Sequence, residues 1–414
     1  MIEKEHLFVF YEVTDLPERM ILHCDLNNFF ASVSLLFNPT LKNLPVAVCG
    51  DKEQRHGIVL AKNEIAKRYG VQTAEAIFEA KSKCPDLVTL PPLGKEYVRY
   101  SQMAQAIYRR YTDLVEPFGI DECWLDVTGS RILFGDGEHI AEKIRRDIKR
   151  ELHITVSVGV SFNKVFAKLG SDMKKPDAVT VLSRENFRQK IWGLPISTLL
   201  FAGKKTTAKL YSAGIFTIGD VAQCPEGTLI RLLGKNGADL KRYALGEDFS
   251  PVMPIDENTK PKSVSRSVTR SKDFTCADSV YQTFLELSEQ IADTLRQHEL
   301  FAAGISVHVR TASLSVKEFT KTYIEPTNSA LLLARRGMAL FQEHISFSEP
   351  LRSVGIGAIH LKNGSCALQE DLFGNFEKQW KQETIENSVY RLRQRFGRTS
   401  ITRATVVKPQ NSRS

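Results

Sequence analysis

Three acidic side chains stand where acids are costly. Asp25 breaks the apolar run that starts at Met20 and continues through Leu26, and Asp121 with Glu122 breaks the run between Pro117 and Asp126. A carboxylate flanked by core-type residues is unfavourable to bury alone. A divalent cation between such acids removes the difficulty, because hard ions such as Mg²⁺ take oxygen ligands, commonly one or two carboxylates together with substrate phosphates. A pair of these ions roughly 3.5–4 Å apart is the usual clamp for in-line phosphoryl displacement. The spacing alone also fits acids that cap turns.

The surrounding pattern supplies elements to position them. Residues 21–26 read as a strand, and the acidic pair falls on a strand–turn–strand. Tyr100, Met103, Ile107, Tyr111 and Leu114 form a helical stripe between residues 97 and 114, and Ile140, Ile144, Ile148 and Leu152 form a second. Ile154, Val156, Val158 and Val160 alternate with small or polar residues, as in a strand. Strands interleaved with helices indicate an α+β or α/β region, and a shared sheet would bring Asp25 and Asp121 together. Residues 63–70 read as a short helix stopped by Gly70. From 185 to 250 the pattern is short, helical and punctuated by glycine, with Gly203 and Gly234 each leading into a helix. Such an N-terminus with flanking lysines suits a backbone phosphate, and also an ordinary helix hairpin. A proline-rich polar stretch at 251–262 precedes a separate unit. There Ile305, Val307 and Val309 face one way and Ser306, His308 and Arg310 the other, as in a strand with one wet face. Val354, Ile356 and Ala358 mark a later strand, and residues 376–396 a final helix broken near Gly397.

The 414 residues exceed one ordinary core, and 42% apolar with 25% charged residues describes a soluble globular protein of several domains. No run of about 18 apolar residues suggests a membrane span, and the first residues lack a signal pattern, so a cytoplasmic protein is expected. The seven cysteines are scattered without a Cys-x-x-Cys pair, which supports neither a zinc ribbon nor a disulfide framework. The net charge of +8 suits a polyanionic partner without requiring one.

Taken in order, these segments resemble the Y-family translesion DNA polymerases, of the bacterial DinB/UmuC-like, polymerase IV type. Asp25-Leu-Asn-Asn-Phe-Phe30 is similar to the opening motif of that family, and Gly119-Ile-Asp-Glu122 to its Ser-Ile-Asp-Glu motif. The stretches 38–48, 158–168, 171–176 and 262–269 resemble its entry into the fingers, its last palm motifs and the start of its little finger. Asn27 resembles the polymerase V branch, whereas Lys174-Lys175-Pro176 and the helical stretch 185–250 resemble polymerase IV. The resemblance implies an α+β multidomain, right-hand fold: a mixed or antiparallel palm sheet, small fingers, a helical thumb and an α/β little finger. The expected boundaries are an extension at 1–19, palm at 20–28 and 95–184, fingers at 29–94, thumb at 185–250, linker at 251–261, little finger at 262–361 and a tail at 362–414.

It further implies template-directed, error-prone addition of deoxynucleotides to a primer 3′-hydroxyl without proofreading, by a monomer acting on primer–template DNA. Asp25, Asp121, Glu122 and the carbonyl of Leu26 would hold two Mg²⁺ ions, and Asp126 would have a hydrogen-bonding role. Phe30 would be the steric gate under the sugar, with Phe29, Lys67 and Lys175 near the triphosphate, Phe29 being also readable as a core residue. Lys67 stands where arginine is usual and so lacks the bidentate fork. Ala61 and Glu64 replace a usual threonine and tyrosine, so Glu64 should turn away and nucleotide binding should be weak. Phe201-Ala202-Gly203 replaces a Gly-x-Gly hairpin. Gly203, Lys204, Lys205, Lys262, Arg266, Arg270 and Arg310 would contact DNA. Gln369, Asp371, Leu372 and Phe373 resemble a peptide that docks on the sliding clamp. Two other readings follow from the same residues: a catalytically weak polymerase-like module that occupies DNA and the clamp, and a nucleotide cyclase sharing the palm topology, for which the basic third unit and the clamp-like peptide have no use.

Overall fold

The computed structural model describes residues 18–51, 57–254, 260–363, 375–397 and 400–403. The chain divides into two compact units: Met1–Gly50 with Ile58–Asn258, and a second consisting mainly of Thr259–Ser414.

The strands of the first unit are β1 (Ile21–Leu26), β2 (Val46–Cys49), β3 (Val59–Lys62), β4 (Val88–Leu90), β5 (Val115–Pro117), β6 (Glu122–Asp126), β7 (Val156–Ser161) and β8 (Val179–Leu182). Five of them form a sheet in the order β5-β6-β1-β7-β8, antiparallel except where β7 meets β8. All residues of β1 and β7 are buried. One side of this sheet is covered by the helices Gly94–Tyr108 and Gly137–Leu152, whose Ile107, Ile140, Ile144 and Ile148 share a core with Leu22, Leu125 and Val158. The helix Lys164–Met173 lies close against β7, where a Cβ at Gly159 would stand 1.9 Å from the Ala167 carbonyl oxygen. Only glycine permits that approach. The stripe expected to continue to Leu114 is helical only to Tyr108; Tyr111 keeps its spacing in the following turn and is still buried.

β2, β3 and β4 form a separate three-stranded sheet in the order β3-β2-β4. Beside it the helix Glu64–Arg68 starts under the side-chain cap of Asn63, whose Oδ1 accepts from Ala66 N, and it ends before Gly70 as expected. The segment from 187 to 245 is helical, with its own core around Leu210, Ile218, Leu229 and Leu240, and Gly203 and Gly234 are helix N-caps.

The second unit carries β9 (Val264–Phe274), β10 (Leu300–Thr311), β11 (Val316–Thr327) and β12 (Leu351–Asn363). They form an antiparallel sheet in the order β11-β10-β12-β9, with the helices Ala277–Gln297 and Ala330–His344 packed on the face of Ile305, Val307, Val354 and Ile356. The helix Asn375–Phe396 is fastened to this unit by charge. Buried Glu386 accepts from Arg296, from Arg403 and from the backbone N–H of Ala330, the first residue of a helix.

Cys24, Cys49, Cys84 and Cys123 are buried and free. No described helix is long and apolar enough to cross a membrane.

Candidate active site

The acids meet where β1 and β6 end together. Register places Asp25 opposite Glu122, and Leu26 N donates to the Asp121 carbonyl at 3.1 Å. Asp121 precedes β6 in a turn where Gly119 has φ of +105°, a conformation that L side chains rarely adopt. Gly119 therefore serves a backbone need rather than supplying a hydroxyl.

Each acid has a different electrostatic setting. Asp25 is 7% exposed and accepts from Lys175 Nζ at 2.6 Å, and Lys175 also reaches Asp172 at 2.8 Å. Burial still raises the Asp25 carboxyl above its ordinary value, against the pull of Lys175. Burial also works against ionised Glu122, but His23 and Lys168 outweigh it and hold that carboxyl at about 2. Lys168 Nζ lies 2.7 Å from Glu122 Oε2, and His23 Nε2 lies 3.3 Å from the same oxygen. The other ring nitrogen of His23 meets Ser171 Oγ at 2.9 Å. Asp121 forms no ion pair among the described residues. Burial first, then the charges of Asp25 and Glu122, push its carboxyl up to about 6.

No three His, Cys, Asp or Glu donors among the described residues close on one point as a metal cage; Asp25 and Glu122 instead each face a lysine ammonium. Oxygen donors that draw in ammonium groups, with a third acid destabilised as an anion, fit a hard divalent cation.

Asp126 lies outside this cluster: its Oδ1 accepts from the backbone and hydroxyl of Thr128, the hydrogen-bonding role expected of it. Asn27 holds the end of β1 to neighbouring segments, donating to Ser157 Oγ and accepting from Asp177 N. Phe29 is 3% exposed and belongs to the sheet's core. Phe30 is half-buried and stacks on Tyr97, with centroids 4.1 Å apart and planes 7° apart. Tyr97 is itself fixed through Ser34 at 2.8 Å. Lys67 is half-exposed, 3.5 Å from Glu64 Oε1. Glu64 does not turn away into solvent, because the same oxygen accepts from Asn28 Nδ2 at 2.9 Å.

Lys204 and Lys205 are exposed in the first turn of the helix that Gly203 caps. Phe201, in place of a glycine, holds φ of +70° with its ring against Tyr243. In the second unit Lys262, Arg266 and Arg310 are exposed, whereas Arg270 faces Glu286 at 3.5 Å and lies over the Phe274 ring. Ser267, Gly355 and His308 stand side by side on the sheet face away from the helices. They line a cavity of about 340 Å³ with Arg266 and Glu318. The residues 369–373 lie outside the described residues.

Sequence reasoning left His23, Lys168, Asn28 and Tyr97 without roles. His23 and Asn28 carry a local signal, since each is a polar residue within three positions of Asp25. Lys168 and Tyr97 carry none, because their partners are distant in the chain.

The family model described as impB/mucB/samB family matches residues 24–172, and that of its C-terminal domain matches residues 261–372. The chain is 45% identical over 391 residues to DNA polymerase IV of Acetivibrio thermocellus, covering 94% of this chain and 98% of the relative. It is 34% identical over 401 residues to DNA polymerase IV 1 of Bacillus subtilis, covering 96% and 95%. Among solved structures, a Y-family DNA polymerase chimera superposes with a TM-score of 0.75 at 23% identity, covering 83% of this chain and 99% of the chimera. Extended identity at this level, joined to the acids at the β1–β6 end, makes the chain a member of the Y-family DNA polymerases, in their DinB-like DNA polymerase IV group.

Proposed function

We propose that the chain carries out error-prone, template-directed DNA synthesis across damaged bases, by nucleotidyl transfer without proofreading. As a family member it is a DNA-directed DNA polymerase. The observation that carries the finer reading is the meeting of Asp25, Asp121 and Glu122 at one sheet end, with Asp121 in no ion pair among the described residues and its carboxyl pushed up to about 6.

In this reading Asp25, Asp121, Glu122 and the carbonyl of Leu26 would hold two Mg²⁺ ions, which when bound activate the primer 3′-hydroxyl and offset triphosphate charge. Lys175, bridging Asp25 and Asp172, is placed to exchange an acid for a phosphate oxygen. Lys67 would add a second cation on the fingers side. Phe30 would lie under the sugar, its plane set by Tyr97, and a 2′-hydroxyl would meet the ring. Phe29 would contribute through its backbone, since its ring is in the core.

The five-stranded sheet and its helices would be the palm (20–28 and 95–184), the three-stranded sheet part of the fingers (29–94), and the helical segment the thumb (185–250). The second unit would supply the little finger (262–361), with 251–261 as linker and 362–414 carrying the clamp-binding peptide. Gly203, Lys204, Lys205, Lys262, Arg266, Arg270 and Arg310 would hold primer–template phosphates without reading sequence. Replacing Leu372 and Phe373 with alanine should remove clamp stimulation and spare basal synthesis.

One observation favours the weaker-module reading: Lys175 and Lys67 both already face acids, which leaves less free charge for a triphosphate. Primer extension past an abasic site, with wild type and Asp121→Ala, separates the two. Extension by wild type and none by the variant supports polymerisation; no extension by either leaves DNA and clamp occupancy.

A further inference from the structure

We propose that Glu64 is a positioning residue of the nucleotide pocket, through which sugar discrimination and phosphate affinity are set together. The inference rests on the polymerase reading above. One carboxylate oxygen carries it: Glu64 Oε1 accepts from Asn28 Nδ2 at 2.9 Å and lies 3.5 Å from Lys67 Nζ.

An acid in the first turn of a helix has an ordinary explanation, in that it complements the helix dipole. That role needs no partner elsewhere in the chain, and Asn63 already supplies the cap. Glu64 instead reaches a residue 36 positions away. Asn28 is the N-cap of the helix Phe29–Leu36 by position, with φ of +49°, yet its side chain makes no capping bond. Its amide is committed to Glu64. The turn that ends β1 and launches Phe29 and Phe30 is thus held from outside by Glu64, while Ser32 N closes the first helical bond on the Asn28 carbonyl at 2.9 Å. Phe30, two residues on, takes its place over Tyr97 from this turn.

Lys67, on the same helix as Glu64, is drawn to the same oxygen. The two side chains are 49% and 32% exposed, so the pair is weak and a triphosphate can compete for the ammonium. Glu64 thus lowers the charge available at Lys67 and, through Asn28, steadies the gate. This assigns the acid a purpose at a position where a negative charge alone would oppose an anionic substrate.

Steady-state single-nucleotide incorporation by the full chain with Mg²⁺, using matched deoxy- and ribonucleotides, tests this. Glu64→Gln keeps an acceptor for Asn28 and removes the charge. Its KM for the deoxynucleotide should fall about two- to fivefold, the factor an exposed ion pair carries, with kcat moving less. Its sugar discrimination should hold. Glu64→Ala should show the same fall in KM and also lose about tenfold in sugar discrimination. Asn28→Ala should reproduce the second effect without the first. A KM for Glu64→Gln that rises or stays put, or a Glu64→Ala variant that discriminates as well as wild type, overturns the proposal while wild-type synthesis keeps the polymerase reading. A wild type that extends no primer sinks both.

Discussion

The acids of the site and the cations around it are held in different ways. Asp25 and Glu122 belong to paired strands, and Asp121 is tied to Leu26 by a backbone hydrogen bond, so sheet register fixes all three. Lys67 and Lys168 lie on helices and Lys175 just beyond one, each an ammonium on a long flexible stem. Acids held this way cannot spread apart, and burial first, then the charges of Asp25 and Glu122, raise the Asp121 carboxyl. In the proposed reaction the lysines would exchange an acid for substrate phosphate, so that the fixed donors would decide where chemistry happens and the cations would tune how tightly an anion is held there.

Removing the rigid part should have the largest effect. Asp121→Asn should reduce incorporation by at least on the order of 10³-fold. It should also stabilise the fold. The folded-state pKa of Asp121 stands above its unfolded value, so its contribution is favourable at low pH and is lost as pH rises from about 3.8 to about 6. At pH 7.5 in chelator the variant should be more stable than wild type by roughly 1–2 kcal/mol in denaturant unfolding, discounted for partial exposure. Mg²⁺ should raise the Tm of wild type more than that of the variant. A variant less stable than wild type in chelator would mean that the folded protein does not disfavour an ionised Asp121.

Next in size is Phe30→Ala, which should retain DNA synthesis and lose sugar discrimination by on the order of a hundredfold. Unchanged discrimination would show that the ring stacked on Tyr97 does not meet the sugar. In the second unit, Arg266→Ala should weaken primer–template binding several-fold and reduce the slope of log affinity against log salt by about one. An unchanged slope would remove Arg266 from the phosphate contacts.

The rigid half of this comparison was legible in the sequence. Acids at the ends of apolar alternating runs mark strand ends, and the pattern around Asp25, Asp121 and Glu122 has a local cause. The four-residue repeat of Ile140, Ile144 and Ile148 likewise found its helix, and all three are buried. The stripe through Tyr97–Leu114 overran the helix because Tyr111 buries its ring from a turn at helical spacing, which periodicity cannot distinguish. The alternation at Val156, Val158 and Val160 marked a strand but gave no sign that its other face is covered; the approach of the following helix at Gly159 covers it. The mobile half was legible only as charge. Lys168 meets an acid 46 residues away and Lys175 one 150 residues away, and nothing local names those partners. The charge of Glu64 set against phosphate predicts a side chain turned away; Asn28, 36 residues distant, and Lys67 hold it in place instead.

The smallest expected effect tests the mobile half most directly. Lys67→Arg keeps the charge and adds a planar fork with a bidentate geometry for phosphate. The same fork also matches the Glu64 carboxylate, so both the substrate and the internal acid gain from it. With Glu64 present the two gains oppose each other, and the KM for the deoxynucleotide should change by less than about twofold. In a Glu64→Gln background the competing charge is gone, and Lys67→Arg should lower KM by a further twofold or so. The two substitutions should therefore be non-additive, as expected of groups that share one contact. Full additivity would mean that Lys67 and Glu64 do not interact in the working enzyme, and that the cations beside the acids are as independent as the strands are fixed.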